Sequence, residues 1–326
     1  MNNEKTLSVK NLEVAFDTGR GAVRAVRNVS FDIAKGEVFA LVGESGCGKS
    51  TTAMSIMRLV RDPGRIMGGE VRFDGKDLLS LSRSEMSRIR GRQIGMIFQN
   101  PLDSLNPVYQ VGSQIAEGLV VDKMDKGQAW ALAEEILKDV KISDVDRRIH
   151  SYPHEISGGM RQRVMIGMML CRKPELLIAD EPTTALDVTI QAGIIQLMVD
   201  LQKQYGTSVL LITHDFGVVA DMADRIGVMY AGELVEMGDV FSIFDNPLHP
   251  YTRLLMEALP RIRKNQGRLQ TIPGSVPDLA DLPVGCSFQD RCPDAIQACR
   301  EAEPVLREME GGHYCSCIRI RGGTGK

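Results

Sequence analysis

The segment that decides the fold of this chain is Gly43-Glu-Ser-Gly-Cys-Gly-Lys49-Ser50, which matches the pattern G-x-x-x-x-G-K-[ST] at every position. Before it lies the nearly continuous apolar run Glu37–Val42, and after it a helical pattern extends from Thr51 to Val60. A buried strand, a glycine-rich loop and a helix, in this order, form a loop that wraps phosphate groups. Because pattern and context agree, the sequence predicts an α/β fold with a phosphate-binding loop, rather than a glycine-rich turn that binds nothing.

Each residue type in this loop has a chemical reason to be there. The glycines let backbone N–H groups curl around phosphate oxygens, and the start of the following helix adds the positive end of its dipole. Lys49 can reach the outer phosphates of a nucleotide, and the Ser50 hydroxyl can bind Mg²⁺. The residues predicted to bind the nucleotide here are Gly43, Ser45, Gly46, Cys47, Gly48, Lys49, Ser50 and Thr51.

Two consecutive carboxylates follow a second apolar run, Leu176–Ala179. In enzymes with a phosphate-binding loop, an acidic residue at the end of such a strand helps to hold Mg²⁺, and Asp180 is placed for this role. Glu181 comes next and can polarise an attacking water as a general base. Two acids before Pro182 also fit a solvated turn, but the phosphate-binding loop in the same chain favours the catalytic interpretation.

The composition and the distribution of apolar residues fit a globular protein and argue against three other classes. The chain has 326 residues, of which 43% are hydrophobic and 25% charged, and this length predicts about two domains. The 39 Lys and Arg residues against 42 Asp and Glu residues leave a net charge of −3, which disfavours a protein that grips nucleic acid through a broad basic face. No apolar run reaches the roughly 18 residues of a membrane span, and the N-terminus lacks the layout of a secretory signal. We therefore expect a soluble protein of the cytoplasm.

Strand and helix patterns alternate along most of the chain. A strand, a helix and a second strand between Leu176 and Thr213 predict a parallel sheet, and alternating strands near the N-terminus predict a β-rich part. Helical patterns dominate at about residues 101–172. The sequence thus predicts an α/β domain over residues 1–245 with this helical part inserted, followed by a small cysteine-rich C-terminal appendage over residues 246–326.

Further motifs identify a protein family. Ser157-Gly-Gly-Met-Arg-Gln162 precedes Asp180, Gln99 follows an apolar strand, Ala185-Leu-Asp187 follows Glu181, and His214 ends the next strand. In this order they resemble the signature loop, Q-loop, D-loop and switch histidine of ABC-type ATPases. The resemblance covers about residues 7–240. It implies an ABC-type ATPase domain with a mixed sheet core, an antiparallel β part and an inserted helical subdomain.

The resemblance also implies roles for single residues. It implies that the chain binds ATP with Mg²⁺ and hydrolyses it, that Gln99 joins the coordination of Mg²⁺, and that His214 contacts the γ-phosphate. Asp187 is implied as a further residue of the nucleotide site. Phe16 is similar in position to an aromatic residue that stacks on adenine in the family, although core packing accounts equally well for an aromatic side chain there.

The signature segment, Ser157–Gln162, indicates how the subunits assemble. Ser157, Gly158 and Gly159 introduce a helix, so they can present N–H groups to an anion. In the family these residues cover the γ-phosphate that the opposite subunit binds. The resemblance therefore implies that two subunits enclose two nucleotides, and that one copy of the chain cannot complete a site.

Segments outside the ATPase motifs resemble one branch of this family. Phe98–Pro107 and Asn246–Leu255 are similar to peptide and nickel importers. Ile272–Leu279 and Gly285–Pro293 are similar to the C-terminal extension of dipeptide and oligopeptide permease ATPases. The resemblance implies a subunit that powers the import of dipeptides or oligopeptides, with oligosaccharides or nickel as alternative substrates.

The same resemblance implies the partners. They are two membrane permease subunits, a second, paralogous ATPase subunit that makes a heterodimer, and indirectly an external peptide-binding protein, with no nucleic acid. The chain is then expected to lie peripherally on the cytoplasmic side of the cell membrane. Two other hypotheses are a soluble ABC protein that works without a transporter and an iron–sulfur redox protein with ATP as a regulator.

The C-terminal extension is rich in cysteine, with Cys286, Cys292, Cys299, Cys315 and Cys317. In a reducing compartment such a group indicates metal ligation before disulfides. The spacings match neither the usual zinc pairs nor the common ferredoxin patterns, so the residues alone leave the metal open, and free thiols remain an alternative. Family resemblance favours a [4Fe–4S] cluster on Cys286, Cys292, Cys299 and Cys317, with Cys315 as the spare and His313 as a weaker ligand candidate.

Overall fold

The computed structural model describes residues 4–19, 21–99, 105–184, 187–258 and 272–320. By compactness the chain divides into two units. The helical unit comprises Met1–Thr6, Ile33–Glu37 and Ser80–Ile212, and the phosphate-loop unit comprises Leu7–Asp32, Val38–Leu79 and Thr213–Lys326. The two units interleave along the chain, so the domain boundaries drawn from the sequence stay predictions.

The described residues form both strands and helices, with consecutive helices between β6 and β7. The strands are β1 (Lys5–Thr18), β2 (Gly21–Ala34), β3 (Val38–Val42), β4 (Gly64–Phe73), β5 (Lys76–Asp77), β6 (Ile94–Ile97), β7 (Leu176–Asp180), β8 (Ser208–Thr213), β9 (Arg225–Tyr230), β10 (Glu233–Asp239), β11 (Arg307–Glu310) and β12 (His313–Cys315). The α-helices are α1 (Lys49–Ile56), α2 (Arg83–Ile89), α3 (Val111–Val121), α4 (Lys126–Asp139), α5 (Val145–Arg148), α6 (Gly158–Leu170), α7 (Val188–Tyr205), α8 (Phe216–Met222), α9 (Val240–Asp245) and α10 (Pro250–Glu257).

Parallel strands form the sheet of the helical unit. Strand β7 lies between β6 and β8, with Leu176 opposite both Ile94 and Ser208. Every residue of these strands is buried. Continuous apolar runs are the expected sequence of such strands, because a parallel sheet is covered on both faces.

Helices α3, α4 and α6 pack against one another in the same unit. Ala129, Ala133 and Leu137 form a buried stripe on α4 at helical spacing, which is the pattern of a helix with one face in the core. A Cβ on Gly167 of α6 would lie 2.8 Å from the Ile136 Cγ2 atom of α4. A glycine at this position therefore lets the two helices approach closely. In the part of the chain that the structure describes, none of the helices has the length and apolar character of a membrane span.

The phosphate-loop unit contains two sheets. Strands β2, β1, β4 and β5 form one in that order, and β1 pairs with β4 in an antiparallel register that places Phe16 opposite Gly64. In the other, the order is β11, β12, β10, β9, β3. Only the pairing of β3 with β9 is parallel there, so this unit combines parallel and antiparallel strands.

The C-terminal strands were not predicted from the sequence. Strand β12 pairs with β10, with Glu236 opposite Cys315, and β11 pairs with β12. Strands of three or four residues are too short to give a periodic signal. The cysteine-rich end of the chain therefore adds strands to the sheet of the phosphate-loop unit.

Glu236 fixes this end of the chain to β10. Its carboxylate is fully buried and accepts hydrogen bonds from the N–H groups of Leu248, at 2.6 Å, and His249, at 3.0 Å. The Nε2 atom of His313 lies 2.7 Å from the same carboxylate. One buried acid thus joins β10 with the start of α10 and with β12.

We expect Glu236→Ala to lower the free energy of unfolding by about 3 kcal/mol, because it leaves buried donors without an acceptor. Urea denaturation of the full chain measures this change. Glu310→Ala is the matched control, since Glu310 is exposed on the neighbouring strand β11, and its effect should stay within about 0.5 kcal/mol. Equal effects of the two substitutions would contradict a structural role for Glu236.

Candidate functional site

The phosphate-binding loop bends tightly between β3 and α1. Gly43 and Gly48 have φ angles of +151° and +107°, which side chains with a Cβ rarely allow. A Cβ on Gly43 would lie 2.3 Å from the carbonyl oxygen of Met229, and one on Gly48 would lie 2.5 Å from that of Ala25. Both positions therefore require glycine.

The Lys49 side chain folds back into this loop. It is 4% exposed, and its Nζ donates to the carbonyl oxygens of Gly43 at 2.7 Å and Glu44 at 2.9 Å. A positive charge thus lies inside the loop, where it attracts an anion. The Cys47 thiol is buried beside it, and burial raises the pKa of this thiol.

The residues after Lys49 form the first turn of α1. Gly48 is the N-cap, and among the described residues no side chain caps this helix and no acid occupies its first turn. Ser50 is exposed and Thr51 is half-buried, while Ser45 and Gly46 are exposed in the loop. The positive end of the helix dipole therefore lies at the loop and favours a bound anion.

Asp180 and Glu181 lie at the end of β7 in the helical unit. Asp180 is buried. Glu181 has a φ angle of +46°, and its N–H donates to the carbonyl oxygen of Ile212 at 2.8 Å. This backbone conformation is uncommon for a residue with a Cβ, and such strain is concentrated at functional sites.

The fold brings Gln99 and Glu181 together. The Gln99 Nε2 atom donates to Glu181 Oε2 at 2.8 Å, and the Thr184 hydroxyl donates to the same oxygen at 2.8 Å. Two donors on one oxygen hold the carboxylate in a defined orientation. The sequence reasoning missed Thr184, although its position three residues after Glu181 was a signal that could have suggested it.

The signature segment forms the start of α6. The Ser157 hydroxyl accepts a hydrogen bond from the Met160 N–H at 3.3 Å and so caps the helix. A Cβ on Gly159 would lie 2.8 Å from Ile190 Cγ2 of α7, so this glycine also serves close helix packing. The Gln162 side chain, which is buried, donates to the Pro182 carbonyl and links α6 to the segment that follows Glu181.

The other predicted residues of the nucleotide site lie on separate elements. Phe16 is half-buried on β1, and a Cβ on Gly64 would lie 2.5 Å from its ring, which favours the packing interpretation; stacking on adenine stays a prediction. His214 is exposed after β8, and Asp187 is exposed at the N-cap position of α7. The D-loop residues Ala185 and Leu186 lie outside the described residues.

A small cavity in the phosphate-loop unit is lined by cysteines. Its walls include Cys286, Cys292, Cys299 and Cys317, with His249 and Phe288. Burial raises the pKa of Cys286 to about 11, and the charges of the neighbouring thiols add to this shift. Cys315 is fully buried in β12 and is not among the residues that line the cavity.

Four of the cysteines of the extension therefore line one cavity. Within the described residues, no group of three or more His, Cys, Asp or Glu side chains is arranged to hold a metal ion. The [4Fe–4S] cluster that the family resemblance implies stays a prediction.

These features define a class of protein. One is a loop that encloses a buried lysine before a helix, and another is a glutamate that a glutamine orients at the end of a parallel strand. The third is a pair of glycines that follows a serine N-cap. Together they are the parts of an ATP-binding cassette. The solved structure of a dimeric ATP-binding cassette in a post-hydrolysis state, bound to ADP and Pi, has a TM-score of 0.65 and 30% identity over 72% of this chain and 98% of that one.

Sequence comparisons give the family. The chain matches the ABC transporter model over residues 26–184 and the model of the oligopeptide/dipeptide transporter C-terminal region over residues 235–299. It is 52% identical to a probable peptide ABC transporter ATP-binding protein of Sinorhizobium fredii, over 96% of this chain and 94% of that protein. It is 50% identical to the oligopeptide transport ATP-binding protein OppD of Bacillus subtilis, over 95% of this chain and 87% of that protein.

The chain therefore belongs to the ABC transporter ATP-binding proteins, in the group that carries the oligopeptide/dipeptide transporter C-terminal region. The family resemblance drawn from the motifs is confirmed. As a member of this family, the protein binds ATP with Mg²⁺ and hydrolyses ATP.

Lys49→Ala should weaken ATP binding about 100-fold, because charge-assisted hydrogen bonds to the outer phosphates are lost. Equilibrium titration with a fluorescent ATP analogue measures the affinity. Lys35→Ala is the control, since Lys35 is an exposed lysine that pairs with Glu4, and it should bind like the wild type. Unchanged affinity in Lys49→Ala would contradict the assignment of the loop.

Proposed function

We propose that this chain is the ATP-hydrolysing subunit that powers the import of dipeptides or oligopeptides across the cytoplasmic membrane through a membrane permease. The observation that carries this proposal is that one chain contains both a site for ATP hydrolysis and a C-terminal region of the oligopeptide/dipeptide transporters. An oriented Glu181 beside Gln99 provides for hydrolysis, and the oligopeptide/dipeptide C-terminal region follows at residues 235–299.

The roles of the residues follow from their chemistry. The phosphate-binding loop and Lys49 hold the outer phosphates. Ser50, Asp180 and Gln99 would supply oxygen ligands for Mg²⁺, and the bound ion would neutralise charge on the phosphoryl oxygens. Glu181 takes a proton from the attacking water. The hydrogen bonds from Gln99 and Thr184 hold the Glu181 carboxylate in one orientation.

His214 and the signature residues complete the site. His214 contacts the γ-phosphate and steadies the attacking water. Ser157, Gly158 and Gly159 act on the nucleotide of a second subunit, from the positive end of α6. The dimeric form of the solved ATP-binding cassette supports this role. The proposal includes Asp187 as a neighbouring residue and Phe16 as the adenine-stacking residue.

The partners in this proposal are a second, paralogous ATPase subunit and two membrane permease subunits, with an external peptide-binding protein acting indirectly. The chain then lies peripherally on the cytoplasmic side of the membrane. Its relatives are ATP-binding proteins of peptide, oligopeptide and dipeptide transport, which supports a membrane permease as the partner.

A [4Fe–4S] cluster on Cys286, Cys292, Cys299 and Cys317 is part of the proposal. The cavity that these four residues line supports it. When bound, the cluster supplies covalent cross-links within a segment that has few strands or helices of its own. The exclusion of Cys315 from the cavity supports Cys317 as the fourth ligand.

Glu181→Gln should retain ATP binding while the rate of hydrolysis falls about 100-fold or more, because the general base is lost. The variant is reconstituted in vesicles with the partner subunits that co-purify with it, and release of phosphate and uptake of a radiolabelled tripeptide are measured. Uptake should stop together with hydrolysis.

Glu175→Gln is the matched control for this experiment, since Glu175 lies exposed just before β7 and should leave both rates unchanged. Normal hydrolysis by Glu181→Gln would refute Glu181 as the base. ATP-driven uptake of an oligosaccharide or of nickel, with no uptake of peptides, would overturn the substrate class.

For the cluster, we expect anaerobically purified protein to contain about four iron and four sulfide ions per chain. Cys317→Ser should lose most of the iron, whereas Cys315→Ser should retain it because Cys315 lies outside the cavity. Metal analysis and the visible absorption of the cluster measure this. Zinc in place of iron, or iron loss in both variants to the same extent, would contradict the assignment.

A further inference from the structure

An arginine of the C-terminal extension contacts the phosphate-binding loop. Arg291 donates from Nη1 to Glu44 Oε2 at 2.7 Å and from Nη2 to Glu44 Oε1 at 3.0 Å. Glu44 is the second residue of the loop. This bidentate ion pair fixes the orientation of the two side chains as well as their distance, which a lysine cannot do.

The rest of the Arg291 side chain is held just as firmly. It is 5% exposed, and its Nε donates to the carbonyl of Pro273 at 3.0 Å. Its guanidinium lies 5.8 Å from the ring centre of Tyr230 and 6.0 Å from that of Phe288, within the range of cation–π attraction. Burial of an ion pair always costs desolvation free energy, and only good geometry with further hydrogen bonds offsets that cost. Here the contacts together restrict the guanidinium to one position.

A second group of this region binds the same loop residue. The Tyr251 hydroxyl accepts a hydrogen bond from the Glu44 N–H at 2.9 Å. The ring of Tyr251 packs with those of Tyr230 and Phe288, and Phe288 is fully buried. The aromatic cluster that positions Arg291 therefore also positions the acceptor for the loop backbone.

Glu44 connects these contacts with the phosphate site. Its N–H donates to the Tyr251 hydroxyl, and its carboxylate accepts hydrogen bonds from Arg291. Its carbonyl oxygen accepts a hydrogen bond from the Lys49 ammonium at 2.9 Å. A displacement of Glu44 thus displaces the acceptor that holds Lys49. On the other side, Arg291 directly precedes Cys292, and the segment that carries it begins at Cys286, where the Gln289 N–H donates to the Cys286 carbonyl at 3.0 Å.

We propose that Arg291 is a positioning residue for ATP binding, which holds the phosphate-binding loop through Glu44 and thereby couples nucleotide affinity to the folded state of the cysteine-bearing extension. The coupling is reciprocal, because any free energy by which the extension favours the nucleotide must also appear as stabilisation of the extension by the nucleotide. This inference depends on ATP binding alone. It requires neither a particular transport substrate nor a metal in the cysteine cavity.

Affinity for the ATP analogue AMP-PNP with Mg²⁺ tests the first half of the proposal. In the full-length protein, Arg291→Ala and Glu44→Gln should each weaken binding about tenfold. Arg291→Lys should recover only part of the loss, since a lysine cannot make both bonds. Arg300→Ala is the matched control, since Arg300 is an exposed arginine of the same extension that pairs with Asp290, and it should bind like the wild type.

The double variant Arg291→Ala with Glu44→Gln separates positioning from general loosening. If Arg291 acts through Glu44, the affinity of the double variant for AMP-PNP should equal that of the single variant with the lower affinity. Losses that multiply would overturn the proposal, because the two residues would then act independently. Wild-type affinity in Glu44→Gln, which leaves every residue of the extension in place, would overturn it as well.

Hydrogen exchange tests the second half. AMP-PNP with Mg²⁺ should slow backbone amide exchange in residues 286–317 about tenfold in the wild type, and should have little effect in Glu44→Gln. Equal protection in both proteins would show that the contact carries no coupling and would overturn the proposal. This readout does not depend on transport, so a failure of the proposed function leaves it intact.

Discussion

The rest of the structure depends on how closely the phosphate-binding loop approaches its neighbours. A Cβ on Gly43 would lie 2.3 Å from a backbone oxygen, so only glycine lets the chain turn here. That turn carries the Lys49 ammonium back onto the loop carbonyls. It also presents Glu44 to Arg291 and Tyr251. One backbone constraint thus sets both the phosphate site and its contact with the extension.

In the helical unit, strand pairing has the corresponding role. The parallel register of β6 and β7 sets Ile97 opposite Ala179, and the chain continues to Gln99 on one strand and Glu181 on the other. Their hydrogen bond of 2.8 Å connects residues that are far apart in sequence. Since Gln162 of α6 also donates to the carbonyl oxygen of Pro182, which follows Glu181, α6 is linked to the segment that carries the proposed base.

Local chemistry explains what could be predicted from the sequence. Short motifs contain the loop glycines, Lys49, Asp180 and Glu181, and the chemistry of the site requires the spacing of these residues. Helices such as α4 have a strong periodic pattern of buried residues. The pairing of β12 with β10 and the contact of Arg291 with Glu44 have no such signal. They join residues separated by long stretches of chain, and a buried arginine looks the same in a sequence as an exposed one.

The sequence by itself determined the class of protein and the group of cysteines in the extension, and it predicted which residues bind and cleave the nucleotide, because each of these depends on residue types at short spacing. Only the tertiary structure showed that four of these cysteines line one cavity, and that the extension touches the phosphate-binding loop. Those outcomes depend on which surfaces are buried together, and burial is a property of the packed chain rather than of any segment.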